Sequence, residues 1–219
     1  MNEISSAASS LPVTRHSSPV SVVLFDVGGV LVQLGGVAAT LELFGYRIPT
    51  EDLWRKWLHS PAVRDFESGR IDAAAFAEGV VREFHIHVSP QVFLDSFAAW
   101  PTGLFPGTRE MIEEIPARYV RAVLSNSNAL HWPRVEGDLG AMFDHYFVSH
   151  QIGWIKPDAQ AFEHVLGALR CKANEVLFLD DNLLNVEAAR RVGMEAFVVR
   201  GAAEVRRALQ NSGVLSSAD

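Results

Sequence analysis

The sequence predicts an α/β protein: a Rossmann-like parallel sheet flanked by helices, with a small all-helical segment inserted after the first strand. Three observations carry this. Five short apolar runs recur without alternating polar residues, the pattern of strands covered on both faces. Helical patterns separate the later runs, and strand–helix alternation implies parallel strands joined by right-handed crossovers. From residue 36 to residue 100, by contrast, the periodicity is helical throughout.

Residues 1–19 are rich in serine and lack an apolar signal core, so they read as a disordered tail and not as a targeting segment. The first strand follows at Val22-Val23-Leu24-Phe25. Gly35-Gly36 then acts as a linker into the insertion. Its apolar residues Leu41/Phe44, Trp54/Trp57/Leu58, Phe76/Val80/Phe84 and Phe93/Phe97/Trp100 fall at helical spacing. Helix starts are expected at Thr50 with Glu51, at Asp72, and at Ser89 before Pro90, where a short polar side chain caps free N–H groups. Pro101-Thr102-Gly103 is the return linker. The second and third strands are expected at Ala122-Val123-Leu124 and Tyr146-Phe147-Val148. A helix carrying Phe162, Val165, Leu166 and Leu169 follows Pro157, then a strand at Val176-Leu177-Phe178-Leu179. A helix with Val186, Ala189 and Val192 is closed by Gly193, and the last strand is Ala196-Phe197-Val198-Val199. The expected division is therefore 1–19 tail, 20–35 with 101–219 as the α/β core, and 36–100 as a helical cap.

Composition narrows the function. Hydrophobic residues at 48% and charged residues at 21% can build an ordinary globular core without disulfides or a structural metal. The single cysteine, Cys171, fits a reducing cytoplasm. A net charge of −7, with no basic run, argues against nucleic acid as a partner. No apolar stretch approaches the roughly 20 residues needed to cross a bilayer, so no membrane partner is expected.

In an open parallel sheet ligands bind beyond the carboxyl ends of the strands. There this chain places Asp26 with Val27-Gly28-Gly29, then Ser125-Asn126-Ser127-Asn128, then Asp180-Asp181-Asn182, while Lys156 lies in a loop able to reach the same rim. Acids converging from separate strands repel one another, and a bound dication is the simplest way to keep them ionised. Carboxylate and carbonyl oxygens suit magnesium. With metal and lysine neutralising a phosphoryl group, one carboxylate can attack phosphorus and form an aspartyl-phosphate.

At these residues the sequence resembles the haloacid-dehalogenase superfamily. Its four ordered motifs match Phe25-Asp26-Val27-Gly28-Gly29-Val30-Leu31, Leu124-Ser125-Asn126, Lys156-Pro157, and Leu179-Asp180-Asp181-Asn182-Leu183-Leu184-Asn185, with Phe105-Pro106-Gly107 as the turn before the helix that leads to the second motif. The resemblance implies Asp26 as nucleophile, Asp180 and Lys156 as its catalytic partners, Ser125, Asn126 and Lys156 as phosphate ligands, and Asp26, the Gly28 carbonyl and Asp181 as magnesium ligands. A helical insertion after the first motif is similar to the superfamily's first cap class. The Ser-Asn-Ser-Asn segment and Phe66-Glu67-Ser68-Gly69-Arg70-Ile71 resemble the bacterial glucose-1-phosphate phosphatase-like branch.

The implied activity is magnesium-dependent hydrolysis of a small phosphorylated metabolite, a sugar phosphate, by a monomer or homodimer. Two alternatives stay open: a dehalogenase-type hydrolase, and a catalytically impaired protein that binds a phosphorylated metabolite. The second arises because most phosphatases of the superfamily carry an aspartate, the general acid/base, where this chain has Gly28. Asp180 or His131 is then the expected substitute proton donor. In the cap, Glu67 either points onto the site or lies at the surface, Trp100 belongs to the cap core or faces substrate, and His85 and His87 are expected in solvent.

Overall fold

In the computed structural model, which describes residues 20–45 and 50–216, one sheet organises the core. Its strands are β1 (Val22–Phe25), β2 (Val120–Ser125), β3 (His145–Val148), β4 (Val176–Asp180) and β5 (Glu195–Val198), in the order β3-β2-β1-β4-β5. Every pairing is parallel. The chain runs outward from β1 through β2 to β3 and returns to β4 on the other side of β1. That reversal makes β1 the switch strand, where a crevice opens at the carboxyl ends.

Register decides what meets there. Phe25 pairs with Val123 on one side and with Leu179 on the other, so Asp26 and Asp180, one residue further on, stand side by side. Successive residues of β1 point to opposite faces, and both faces are apolar. Val23 and Phe25 join Val123, Leu177 and Leu179 in one buried cluster, while Val22 and Leu24 join Ala122, Leu124 and Phe178 in the other. The unbroken apolar run at β1 follows from this double covering. β5 departs from the expectation, because it is an edge strand with Phe197 and Val198 36% and 44% exposed. An apolar run marks a strand but does not tell which strand ends the sheet.

Between β1 and β2 lie α1 (Val37–Leu43), α2 (Thr50–His59), α3 (Pro61–Glu67), α4 (Ala73–Glu83) and α5 (Pro90–Ala98). Asp72 accepts from Ala75 N at 2.9 Å and Ser89 from Val92 N at 3.3 Å, as short polar caps do. Ser60 caps α3 in the same way, ahead of Pro61. The cap expected at Thr50 and the side chain of Trp54 fall outside the described residues, as does the N-terminal tail. These helices have a core of their own around Phe76, which is fully buried and rings with Phe66, Trp57, Phe93 and Phe97. Each such aromatic contributes about 1.5–3 kcal/mol by leaving water.

The two linkers lie against each other. Gln33 N donates to Gly103 O at 2.8 Å, Thr102 N to Gln33 O at 2.9 Å and Gly36 N to Trp100 O at 3.3 Å. A Cβ on Gly36 would sit 2.1 Å from the carbonyl oxygen of Ala99, so only glycine permits this approach.

Six helices complete the core: α6 (Thr108–Glu113), α7 (Trp132–Leu139), α8 (Ser149–Ile152), α9 (Ala159–Leu169), α10 (Leu183–Val192) and α11 (Gly201–Asn211). Gly193 ends α10 in the left-handed conformation that glycine adopts without strain. No described helix is long and apolar enough to cross a membrane.

Candidate active site

The centre of the site is Lys156, 1% exposed. Its ammonium group donates to Asp26 Oδ1 at 2.6 Å, Asp180 Oδ2 at 2.7 Å and Leu124 O at 2.8 Å, which uses all three protons. Asn126 aims it. The Asn126 side chain donates to Lys156 O and accepts from Lys156 N, both at 2.8 Å, so its amide is committed to the lysine backbone.

The two neighbouring acids of β4 differ in what they have left. Asp180 is fully buried and accepts from Lys156, from Asn182 N at 2.8 Å, and from Asn185 Nδ2 at 3.0 and 3.1 Å. Both its oxygens are engaged by protein donors. Asp181 is half-buried, and its Oδ2 lies where a Cβ on Gly29 would come within 2.4 Å. Gly29, at φ +76°, is therefore required twice, by its backbone conformation and by the carboxylate it admits. Neither Asn185 nor Gly29 is singled out by the sequence beyond its place in a motif. The spacing from Asp180 into the first turn of α10 is a signal for Asn185, whereas nothing in one sequence reveals the approach of Asp181 to Gly29.

Oxygens of Asp26, Asp180 and Asp181 come within 4.8 Å of one another, the one such acidic cluster among the described residues. Burial, then the charges of Asp180 and Asp181, pushes Asp26 up to about 7 against the pull of Lys156. Burial and Asp180 push Asp181 up to about 6. Burial works to lower Lys156, but Asp180 and Asp26 overcome it and hold the ammonium above its ordinary value. One lysine does not neutralise three acids. A hard dication fits the excess, and Asp26 and Asp181 are the pair with oxygen atoms to offer it.

Beside this cluster lies a cavity of about 110 Å³, lined by Gly28, Ser125, Asn126, Glu67, Trp100 and His131 among others. A larger cleft of about 270 Å³ lies against β5 and α11, away from these groups, and the small cavity is the one that meets the chemistry. Ser125 ends β2, 2% exposed. Glu67, the last residue of α3, is half-buried and lines this cavity. Burial lifts its carboxyl to about 7, with Lys156 and Arg64 pulling the other way. Trp100 belongs to the cap core, packing on Phe97 and donating to Thr40 Oγ1 at 2.8 Å, and it also lines the cavity. His85 and His87 are exposed, as expected.

Neither expected substitute donor is free to act. His131 has both ring nitrogens occupied, Nε2 with Phe97 O at 2.7 Å and Nδ1 with Asn128 Nδ2 at 3.3 Å. That arrangement needs the neutral tautomer in which Nε2–H donates to the carbonyl and Nδ1 accepts. Burial holds its pKa down to about 4, from 6.5. Asp180 has both oxygens taken up as acceptors, from Lys156, Asn182 N and Asn185, and so is not turned to a leaving group.

His131 also predicts a pH effect on stability. Its folded pKa lies below its unfolded value, so between pH 6.5 and about 4 the unfolded chain binds a proton that the folded chain refuses. The contribution is whole above pH 6.5 and is lost as pH falls, by up to about 3 kcal/mol. In His131→Asn, unfolding free energies across this window should decline less steeply with acid. An unchanged pH dependence would contradict a histidine buried neutral.

Known proteins share this framework. A crystal structure of a haloacid dehalogenase family enzyme from Bacteroides thetaiotaomicron, in complex with magnesium and inorganic phosphate, superposes with a TM-score of 0.65 at 21% identity, covering 84% of this chain and 96% of that one. Phosphatase MT3486 of Mycobacterium tuberculosis is 29% identical over 198 residues, 85% of this chain and 90% of its own length. Rat bifunctional epoxide hydrolase 2 is 42% identical over 73 residues, and the chain spans only 13% of that relative. The family model of haloacid dehalogenase-like hydrolases matches residues 20–193, from the start of β1 to the end of α10, and the chain belongs to that hydrolase family.

Proposed function

We propose that this hydrolase is a magnesium-dependent phosphatase that acts on a small phosphorylated metabolite through an aspartyl-phosphate on Asp26. The observation that carries the reading is the buried lysine bound to Asp26, with Asp181 turned toward the same point. Dehalogenation would leave the pairing of Asp26 with Asp181 without a task. The mycobacterial relative's name as a phosphatase, and the magnesium and phosphate in the Bacteroides enzyme, agree with the proposal.

In this reading Asp26, the Gly28 carbonyl and Asp181 hold the ion, which when bound offsets phosphoryl charge. Lys156 keeps Asp26 aimed and adds positive charge beside the phosphoryl oxygens. Ser125 offers its hydroxyl and Asn126 its backbone N–H, because the Asn126 side chain is already engaged. Asp180 fixes Lys156 from behind. Asp26 then attacks phosphorus in line with the departing oxygen, and water later attacks the same phosphorus to release phosphate. We further propose residues 36–100 as a cap that closes the site from water and contacts the organic end of the substrate. A sugar phosphate is the substrate class we favour, on the likeness to the glucose-1-phosphate phosphatase-like branch.

The test is phosphate release from p-nitrophenyl phosphate and a panel of sugar phosphates. Chelation should abolish turnover and added magnesium should restore it. Full activity in excess chelator, with metal absent by elemental analysis, would sink the proposal.

A further inference from the structure

Gly28 leaves the position two residues after Asp26 without a carboxylate, so a phosphatase built on this site needs its proton donor from elsewhere. The cavity that Gly28 lines offers few candidates. His131 has no free N–H, and both oxygens of Asp180 are already accepting from Lys156, Asn185 and Asn182 N. Asp181 belongs to the proposed ion site. The remaining acid on that cavity wall is Glu67.

Its placement is built, not incidental. Glu67 is the final residue of α3, and Ser68 ends the helix with its hydroxyl donating to Arg64 O at 2.6 Å. The next residue, Gly69, is left-handed at φ +75°, and a Cβ there would meet the His150 carbonyl oxygen at 2.4 Å. The turn after Glu67 is thereby seated on α8 of the core as only glycine allows. One helical turn earlier, Arg64 donates to Asp158 Oδ2 at 2.6 Å, two residues beyond Lys156 in the chain. Two fastenings to the core, on either side of Glu67, hold it at the wall of the cavity that Gly28 and Ser125 also line.

We propose that Glu67 is the general acid and base of this enzyme, supplied by the inserted helices in place of the aspartate that Gly28 lacks; the assignment rests on the phosphatase reading above. As Asp26 forms its bond to phosphorus, the bond from phosphorus to the leaving oxygen breaks. That oxygen takes the Glu67 proton and departs as the neutral alcohol, leaving Glu67 ionised. In the second half, Glu67 takes a proton from water as the water oxygen bonds to phosphorus and the Asp26–phosphorus bond breaks. Asp26 returns as carboxylate and Glu67 is protonated again. Burial supports the role by keeping the carboxyl protonated near neutral pH, its pKa being about 7 even with Lys156 and Arg64 facing it.

The experiment compares wild type with Glu67→Gln on p-nitrophenyl phosphate, phenyl phosphate and a hexose 6-phosphate. kcat/KM reports bond breaking to the leaving group, and a good leaving group needs no acid. Glu67→Gln should therefore lose at least about thirtyfold more kcat/KM on the poorest leaving group that wild type accepts than on p-nitrophenyl phosphate. Glu67→Gln with Gly28→Asp should recover the poor leaving groups. The backbone at Gly28 is not left-handed, and the atoms nearest an added Cβ are those at the end of the Leu34 side chain, at 3.3 Å and beyond, which can give by a few tenths of an ångström. Equal loss of kcat/KM across the series, with wild type active, would overturn the assignment and leave Glu67 a binding group. Absence of phosphate release by wild type from any of the three would overturn the phosphatase reading and this assignment with it.

Discussion

Asp26→Asn should lower phosphate release by at least about a hundredfold while the protein remains folded. The amide has the shape of the carboxylate, and its oxygen still accepts from Lys156, but it is neutral and a poor nucleophile toward phosphorus. The same change relieves a strain of charge. Asp26 is 8% exposed and crowded by Asp180 and Asp181, which together with burial raise its pKa to about 7. Removing that charge should leave the metal-free melting temperature unchanged or higher. Loss of turnover with retained stability separates a chemical role from a structural one. Near wild-type turnover, in protein whose asparagine is verified by mass spectrometry, would exclude Asp26 as nucleophile.

Lys156→Met is expected to have the opposite profile, with stability failing along with activity. Methionine retains a flexible stem over Phe178, whose ring the lysine ammonium approaches at 5.4 Å. It abandons two buried carboxylates and the carbonyl of Leu124. Breaking a buried ion pair by removing one partner costs about 3–5 kcal/mol. For a chain of this size that corresponds to a melting temperature lower by roughly 6–20 °C. The sign of the pH response identifies the cause. Without the lysine, Asp26, whose pKa burial and its acidic neighbours already raise, resists ionisation in the folded state more than in the unfolded chain. Stability of the variant should then rise as pH falls and Asp26 regains its proton. A melting temperature within about 2 °C of wild type would contradict the electrostatic account.

These expectations draw on two kinds of information. The strands were legible because a parallel sheet covered on both faces demands continuous apolar runs, and β1, β2 and β4 carry them. The caps at Asp72 and Ser89 were legible because capping is local chemistry, decided within three residues. Asp26, Ser125, Lys156 and Asp180-Asp181 could be singled out because each follows an apolar run or opens a helix, and parallel strands bring such positions to one rim. The exposure of β5 was not legible, since edge or interior position depends on the order of strands in space.

By itself, then, the sequence determined the fold class, the insertion of helices after β1 and the set of polar residues at the carboxyl ends of the strands. Periodicity and local chemistry along the chain suffice for those. Tertiary structure alone decided how the polar groups divide their hydrogen bonds. Asn126 serves the Lys156 backbone, Asn185 occupies Asp180, Phe97 and Asn128 silence His131, and Gly29 makes room for Asp181. It also set Glu67 on the cavity wall, between the seat of Gly69 on His150 and the pairing of Arg64 with Asp158. The partners lie 3 to 152 residues apart in the chain (Asn128 to His131, Gly29 to Asp181), and most of these pairings are long-range. A donor or acceptor advertises its chemistry in the sequence but not its partner, because that choice is made by distance in three dimensions once the apolar core has set the backbone.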